Sequence, residues 1–226
     1  MIAEREWLKK YIGYDTNITH PVMILHMYDM CNLQCSCCYV RQGCYMAIPS
    51  GTFLSDDALR NVVKESAERN QCIFTGIGEP FLFWDKYTKP KLLPLLKEYG
   101  AKCVISTNGL WGNNDDVIND IISLEVECIN FSIDYYHKVP IESLNHAIEI
   151  LSSNSVKTKI FMSQITDKEH PIGHVKPINY DKLVKVEYPM NRNSNSNQGL
   201  SFHDADGHIV YTTTPTTKES SLNVFV

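Results

Sequence analysis

The sequence predicts an α/β fold of repeated βα units around a parallel sheet. Two observations carry the prediction. Short β-branched or apolar runs recur along the chain, and segments of helical period separate them. A third observation, that polar and glycine-rich residues follow directly on several of those runs, places chemistry at the strand ends.

Strands are predicted near 22–27, 72–75, 102–106, 128–133, 157–163 and 183–188. Ser55 is placed to cap a first helix whose inner face carries Leu59, Val62, Val63 and Ser66. Pro90 is read as the start of a second helix and Gly100 as its end. Val117, Ile118, Ile121 and Ile122 mark a third, and Pro140 opens a fourth with Leu144, Ala147, Ile148 and Leu151 on its stripe. The pattern fails between Thr166 and Asp181, where Pro171, Gly173 and Pro177 leave a loop with at most a short helix. Residues 1–12 are expected to form a helix packing Trp7, Leu8 and Tyr11. The polar run from Met190 leads into short strands around an Asp206-Gly207 turn.

At 226 residues and 43% hydrophobic content the chain is long enough to bury a substantial core. A formal charge of -5 lacks the basic footprint of a phosphate-backbone binder, so a small molecule or a peptide is the expected partner rather than nucleic acid. No apolar run approaches the roughly 20 residues of a membrane span. The N-terminus MIAEREWLKK has no signal-peptide core, and the expected location is cytoplasmic. In that compartment eight cysteines point to metal-binding, catalytic or buried thiols rather than to a disulfide framework. Cys72, Cys103 and Cys128 sit in apolar runs and read as small buried hydrophobes.

The loop CNLQCSCCY is different. Cys31-x3-Cys35-x2-Cys38 places three thiols in one loop after the first strand, one ligand short of a saturated zinc or iron–sulfur site. Such a set suggests a metal centre left open at one position. Beyond the second strand lies Gly76-Ile77-Gly78-Glu79-Pro80, beyond the third Ser106-Thr107-Asn108-Gly109, and along the fourth Ser132 and Asp134 followed by His137.

CxxxCxxC, GxGEP, STNG and SxD, in that order on successive strand ends, resemble the radical S-adenosylmethionine (radical SAM) superfamily over residues 20–190. The resemblance implies a partial TIM barrel, (β/α)6-like, with residues 1–19 as an N-terminal helical segment and 191–226 as a short β-rich extension. It implies one 4Fe-4S cluster on Cys31, Cys35 and Cys38, and S-adenosyl-L-methionine completing the fourth iron through its amino and carboxylate groups. By similarity, the backbone of Gly76, Gly78 and Pro80 with the Glu79 side chain would receive the methionine amino group. Ser106, Asn108, Ser132 and Asp134 would hold the ribose hydroxyls and the carboxylate. Tyr28, Tyr39 and Met46 are candidates for an apolar surround.

Two departures stand out: Cys37 occupies a position that is commonly aromatic in the family, which leaves two adjacent thiols for the third ligand with the family spacing favouring Cys38, and Ile77 interrupts the usual pair of glycines. The role of Cys44 stays open between ligand, redox thiol and loop residue. The segments FHDADGHIVYTTT and SLNVFV are similar to the strand-turn-strand extension of SPASM-type peptide-modifying members, without its auxiliary-cluster cysteines. The implied activity is reductive cleavage of S-adenosylmethionine to a 5′-deoxyadenosyl radical that abstracts hydrogen from a substrate, a peptide being favoured. The implied partner is a one-electron reductant such as flavodoxin or ferredoxin. The alternatives are a nucleoside-type enzyme, a glycyl-radical activase, or a non-catalytic protein in which Cys31, Cys35, Cys38 and Cys44 saturate a metal. His137, His170 and His174, with Tyr135 and Tyr136, are candidates for substrate contacts.

Overall fold

The computed structural model describes residues 22–28, 30–36, 38, 51–75, 78–154, 157–189, 201–203 and 209–212. The expected N-terminal helix, the Asp206-Gly207 turn, Gly76, Cys37, Tyr39, Cys44 and Met46 lie outside them. The described residues fall into two compact units, one reaching to Ser106 and the other beginning at Thr107.

Strands β1 (Val22–Leu25), β2 (Cys72–Thr75) and β3 (Cys103–Thr107) run parallel and, but for Thr107, belong to the first unit. Val22 pairs with Cys72 and Leu25 with Thr75, so the ends of β1 and β2 are level. Parallel strands need a crossover, and helix α1 (Asp56–Glu68) supplies the first. Ser55 caps it, its side chain accepting from the Ala58 N–H, while Asp56 and Asp57 favour the positive end of the dipole. The predicted stripe of Leu59, Val62, Val63 and Ser66 is buried.

The second crossover corrects the sequence reading. Pro90 does not begin the helix; it lies inside a π-helical segment, Trp84–Leu92, which runs on into α2 (Leu93–Tyr99). The Thr88 N–H reaches back five residues to the Phe83 carbonyl, which widens the turn. A wide turn accommodates a proline that has no N–H to give, and it lets Trp84, Tyr87, Thr88 and Leu92 all be buried. The Thr88 hydroxyl ties the segment to the Pro80 carbonyl at 2.6 Å. Gly100 ends α2 in the left-handed conformation, as its position predicted.

The second unit repeats the pattern. Helix α3 (Asp115–Ser123) is capped by Asn114, and its buried residues are Val117, Ile118 and Ile121. Strand β4 (Cys128–Ser132) pairs parallel with β5 (Lys159–Thr166) and β5 with β6 (Val184–Pro189). Helix α4 (Ile141–Asn154) joins β4 to β5, and the Pro140 carbonyl accepts from Ser143 and Leu144 at its start. Strand β5 runs three residues beyond the predicted end because Gln164, Ile165 and Thr166 stay paired with Glu187, Tyr188 and Pro189. The following crossover holds only a short 3-10 turn, Tyr180–Lys182. Strands β7 (Ser201–His203) and β8 (Ile209–Thr212) add an antiparallel pair at the edge of β6. The architecture is α/β, with βα units followed by the β-rich extension.

Candidate functional site

In the first unit the cysteine loop is closed at its neck. Tyr28 pairs with Phe53 in an isolated antiparallel bridge, and the Leu54 N–H donates to the Met27 carbonyl at 2.8 Å. The described cysteine-bearing residues, 30–36 and 38, therefore follow directly on this bridge at the end of β1. Four rings hold the neck: Tyr28 meets Phe53, Phe83 and Tyr87 edge-on at 5.2, 5.2 and 5.9 Å, and Phe53 stacks on Tyr87 at 5.1 Å. Such pairs add about 0.5–1.5 kcal/mol each beyond the area they bury.

The turn after β2 is stitched to this loop. The Glu79 N–H donates to the Met30 carbonyl at 2.9 Å, and the Tyr28 hydroxyl donates to the Glu79 carbonyl at 2.8 Å. Burial drives the Tyr28 phenol well above its ordinary pKa, so it remains a donor at any working pH. Gly78 lies at φ +82°, and a Cβ there would stand 2.4 Å from the Tyr28 carbonyl oxygen. The second glycine of GxGEP is thus required by close passage over the residues that lead into Cys31. Glu79 is buried, with one carboxylate oxygen accepting from the Phe81 N–H at 3.1 Å.

Cys31 is exposed, and Cys35 and Cys38 are partly so. The Leu33 N–H points at Cys31 Sγ at 3.4 Å, and the Cys38 N–H closes a turn on the Cys35 carbonyl at 3.2 Å. Among the described residues no three side chains of the His, Cys, Asp and Glu types are gathered as a metal site. In donor chemistry the residues suit an iron–sulfur cluster: three accessible soft thiols follow closely on β1, one of them already receiving a backbone N–H of the kind that tunes such clusters. By contrast Cys72, Cys103 and Cys128 are buried in strands, and burial, then the neighbouring Cys72, pushes the Cys103 thiol up. These are inert core residues, as their positions predicted. Ser106, at the end of β3, is fixed through its backbone, with Thr75 Oγ1 accepting from its N–H at 2.7 Å.

In the second unit, Asn108 is buried and its side-chain oxygen accepts from the Leu110 N–H at 2.9 Å. Gly109 follows at φ +75°, with space for no Cβ because Leu144 and Phe131 lie against it at 2.3 and 2.9 Å. Ser132 meets Ser163 across β4 and β5 at 3.3 Å.

Asp134 is the most constrained of the motif residues. One carboxylate oxygen accepts from the Tyr136 and His137 N–H groups at 2.8 and 3.0 Å. The other accepts from the Ile165 N–H at 3.2 Å and lies 2.8 Å from His137 Nδ1, which must carry the proton because a carboxylate only accepts. Burial works to raise its pKa, but the His137 hydrogen bond and charge and the backbone donors hold it below the usual carboxylate range.

A second D-x-x-H turn, unnoticed in the sequence, sits at the end of β5. Asp167 accepts from the Glu169 and His170 N–H groups at 2.9 and 2.8 Å and faces His170 Nδ1 at 3.1 Å. The Tyr136 hydroxyl, donating to Asp167, links the two turns and is the first cause of that carboxyl's depressed pKa. Tyr135 stacks on His170 at 4.1 Å, while its N–H donates to His174 Nε2 at 3.1 Å. Buried Gln164 pins the following crossover, donating to the Ile133 and Val175 carbonyls and accepting from the Gly173 N–H. The repeat Asp134-x-x-His137 and Asp167-x-x-His170 was the available signal for this device.

The family model described as Radical SAM superfamily matches residues 25–158, more than half of the chain and inclusive of all four motifs. The chain belongs to the radical SAM superfamily. Among solved structures it is similar to BtrN in complex with AdoMet and 2-DOIA, with 14% identity, a TM-score of 0.45, and coverage of 65% of this chain and 58% of that one. It is also similar to anSMEcpe with bound AdoMet and Cp18Cys peptide, with 18% identity, a TM-score of 0.44, and coverage of 63% and 42%. The matched part is thus about half the length of those chains. No curated protein sequence matches the chain. The superfamily's shared chemistry is radical cleavage of S-adenosylmethionine. Among the described residues no helix is long and apolar enough to cross a membrane.

Proposed function

We propose that this chain is an enzyme holding one 4Fe-4S cluster on Cys31, Cys35 and Cys38, with S-adenosyl-L-methionine at the open iron, and that it acts on a peptide. When bound, this pair of cofactors supplies a 5′-deoxyadenosyl radical that removes a hydrogen atom from substrate. The observation that carries the reading is the stitching of the GxGEP turn to the neck of the cysteine loop through Met30, Tyr28 and Glu79. That stitching fixes the donor loop and the proposed amino-group site as one piece, which precise placement of a reacting cofactor requires.

The remaining roles follow from what each side chain has left to offer. Gly78 lets the turn pass close over the residues that lead into Cys31, and Glu79 places a carboxyl group inside the turn, where an ammonium group is its natural counterpart. Gly76 and Pro80 belong to the same proposed backbone site. Ser106, Asn108 and Ser132 are the proposed contacts to ribose and carboxylate. Asp134 contributes chiefly by position, because its carboxylate already accepts four hydrogen bonds. A peptide substrate is supported by the antiparallel β7–β8 pair at the edge of β6, two short strands of the kind that peptide-modifying extensions carry. The test is anaerobic incubation with S-adenosylmethionine, a reductant and a candidate precursor peptide. Peptide-dependent 5′-deoxyadenosine above the peptide-free background is expected, and its absence across precursor peptides would remove the peptide assignment.

A further inference from the structure

The neck of the cysteine loop borders a surface depression of about 270 Å³. Its walls come from Phe53 at the loop's return, the start of α1, and Lys86, Tyr87 and Lys91 of the π-helical segment and its end. None of these carries a proposed S-adenosylmethionine contact, so a partner can sit here while the strand-end motifs hold the cofactor. Lys89 is answered by Asp85 at 3.6 Å and Lys91 by Asp56 at 2.5 Å. Exposed Lys86 has no carboxylate within ion-pair distance among the described residues; its ammonium lies 5.2 Å from the Phe53 ring centre and 6.0 Å from that of Phe83. The lining thus carries two lysines against one aspartate, Lys86 being the charge that no described carboxylate answers, and its rings pack directly on Tyr28, three residues before Cys31.

We propose that this depression is the docking site of the one-electron donor, an acidic protein of the flavodoxin type. The proposal rests on the cluster assignment made above. A partner seated here contacts the stem of the loop bearing the cluster ligands, and Lys86 supplies the complementary charge that steers an acidic surface into place. In such a complex one electron would pass from the donor's reduced flavin to the oxidised cluster that Cys31, Cys35 and Cys38 would hold, the flavin being oxidised by one electron and the cluster reduced by one, with no covalent bond formed or broken.

The experiment compares two reductants on the reconstituted protein. Lys86→Glu should slow cluster reduction by photoreduced flavodoxin about tenfold at low salt and flatten its salt dependence, with Lys86→Gln intermediate. Reduction of all variants by dithionite should be unchanged. Lys157→Glu, in the second unit, should behave as wild type. Independently, carbodiimide cross-linking of flavodoxin to the cluster-free protein should map to Lys86. Equal flavodoxin rates for wild type and Lys86→Glu, or cross-links only at other lysines, would overturn the docking site. Failure of dithionite to reduce any centre would instead remove the cluster assignment, and the cross-linking map would still decide the docking surface.

Discussion

Gly78→Ala probes the junction between the GxGEP turn and the cysteine loop. Two costs are expected at this position. A side chain at φ +82° is strained by about 1–2 kcal/mol wherever it occurs. The added Cβ would also stand 2.4 Å from the Tyr28 carbonyl oxygen and 3.0 Å from that of Met30, backbone atoms that cannot swing away as a flexible side chain does. Overpacking of that kind costs a further ~1–3 kcal/mol, for a total of about 2–5. Gly51→Ala is the matched control, because Gly51 has φ +81° and nothing within 4 Å of its Cβ position, so only the conformational cost applies. Urea denaturation of the two variants separates the terms, and hydrogen exchange should show the Glu79 amide losing protection only in Gly78→Ala. Equal destabilisation by the two substitutions, with Glu79 still protected, would refute the claim that this glycine is dictated by the loop beneath it.

Asp134→Asn should expose the Ile165 amide to exchange and lower stability by roughly 2–4 kcal/mol near neutral pH, since it removes an acceptor from a buried cluster of donors. Because the folded-state pKa of Asp134 is depressed, the wild-type advantage is complete above about pH 5 and fades as the pH falls below the unfolded carboxylate value near 3.9. An advantage that persisted undiminished in acid would contradict the assignment. Gln164→Ala leaves the Ile133 and Val175 carbonyls and the Gly173 N–H without their partner and should cost about 2–4 kcal/mol, measured as a shift in the urea midpoint. Cys38→Ala should abolish iron incorporation and Cys44→Ala leave it intact, read by iron and sulfide analysis; the opposite pattern would reassign the ligand.

The βα repeat was legible because each helix carries a buried stripe at helical spacing and each strand a short apolar run. Ser55, Gly100 and Pro140 stand at or next to the helix ends they were expected to mark. Pro90 misled because the rule for proline at a helix start assumes α-helical spacing, and a wide turn escapes it. The motifs were legible as residue types at strand ends, but what each side chain is bonded to was not. Asp134 illustrates the limit: the sequence offers a carboxylate at a ligand position, whereas tertiary pairing with Ile165 consumes its acceptors. The aromatic neck was hidden for a related reason, since Tyr28, Phe53, Phe83 and Tyr87 come from three separated segments and meet only in the fold.

The central claim, three cysteines and an open iron shared with S-adenosylmethionine, is most directly tested by electron paramagnetic resonance of the anaerobically reconstituted, dithionite-reduced protein. The account predicts about four irons and four sulfides per chain and a reduced-cluster spectrum that changes when S-adenosylmethionine is added. A reduced spectrum indifferent to S-adenosylmethionine, or a zinc-loaded protein with no reducible centre, would contradict it.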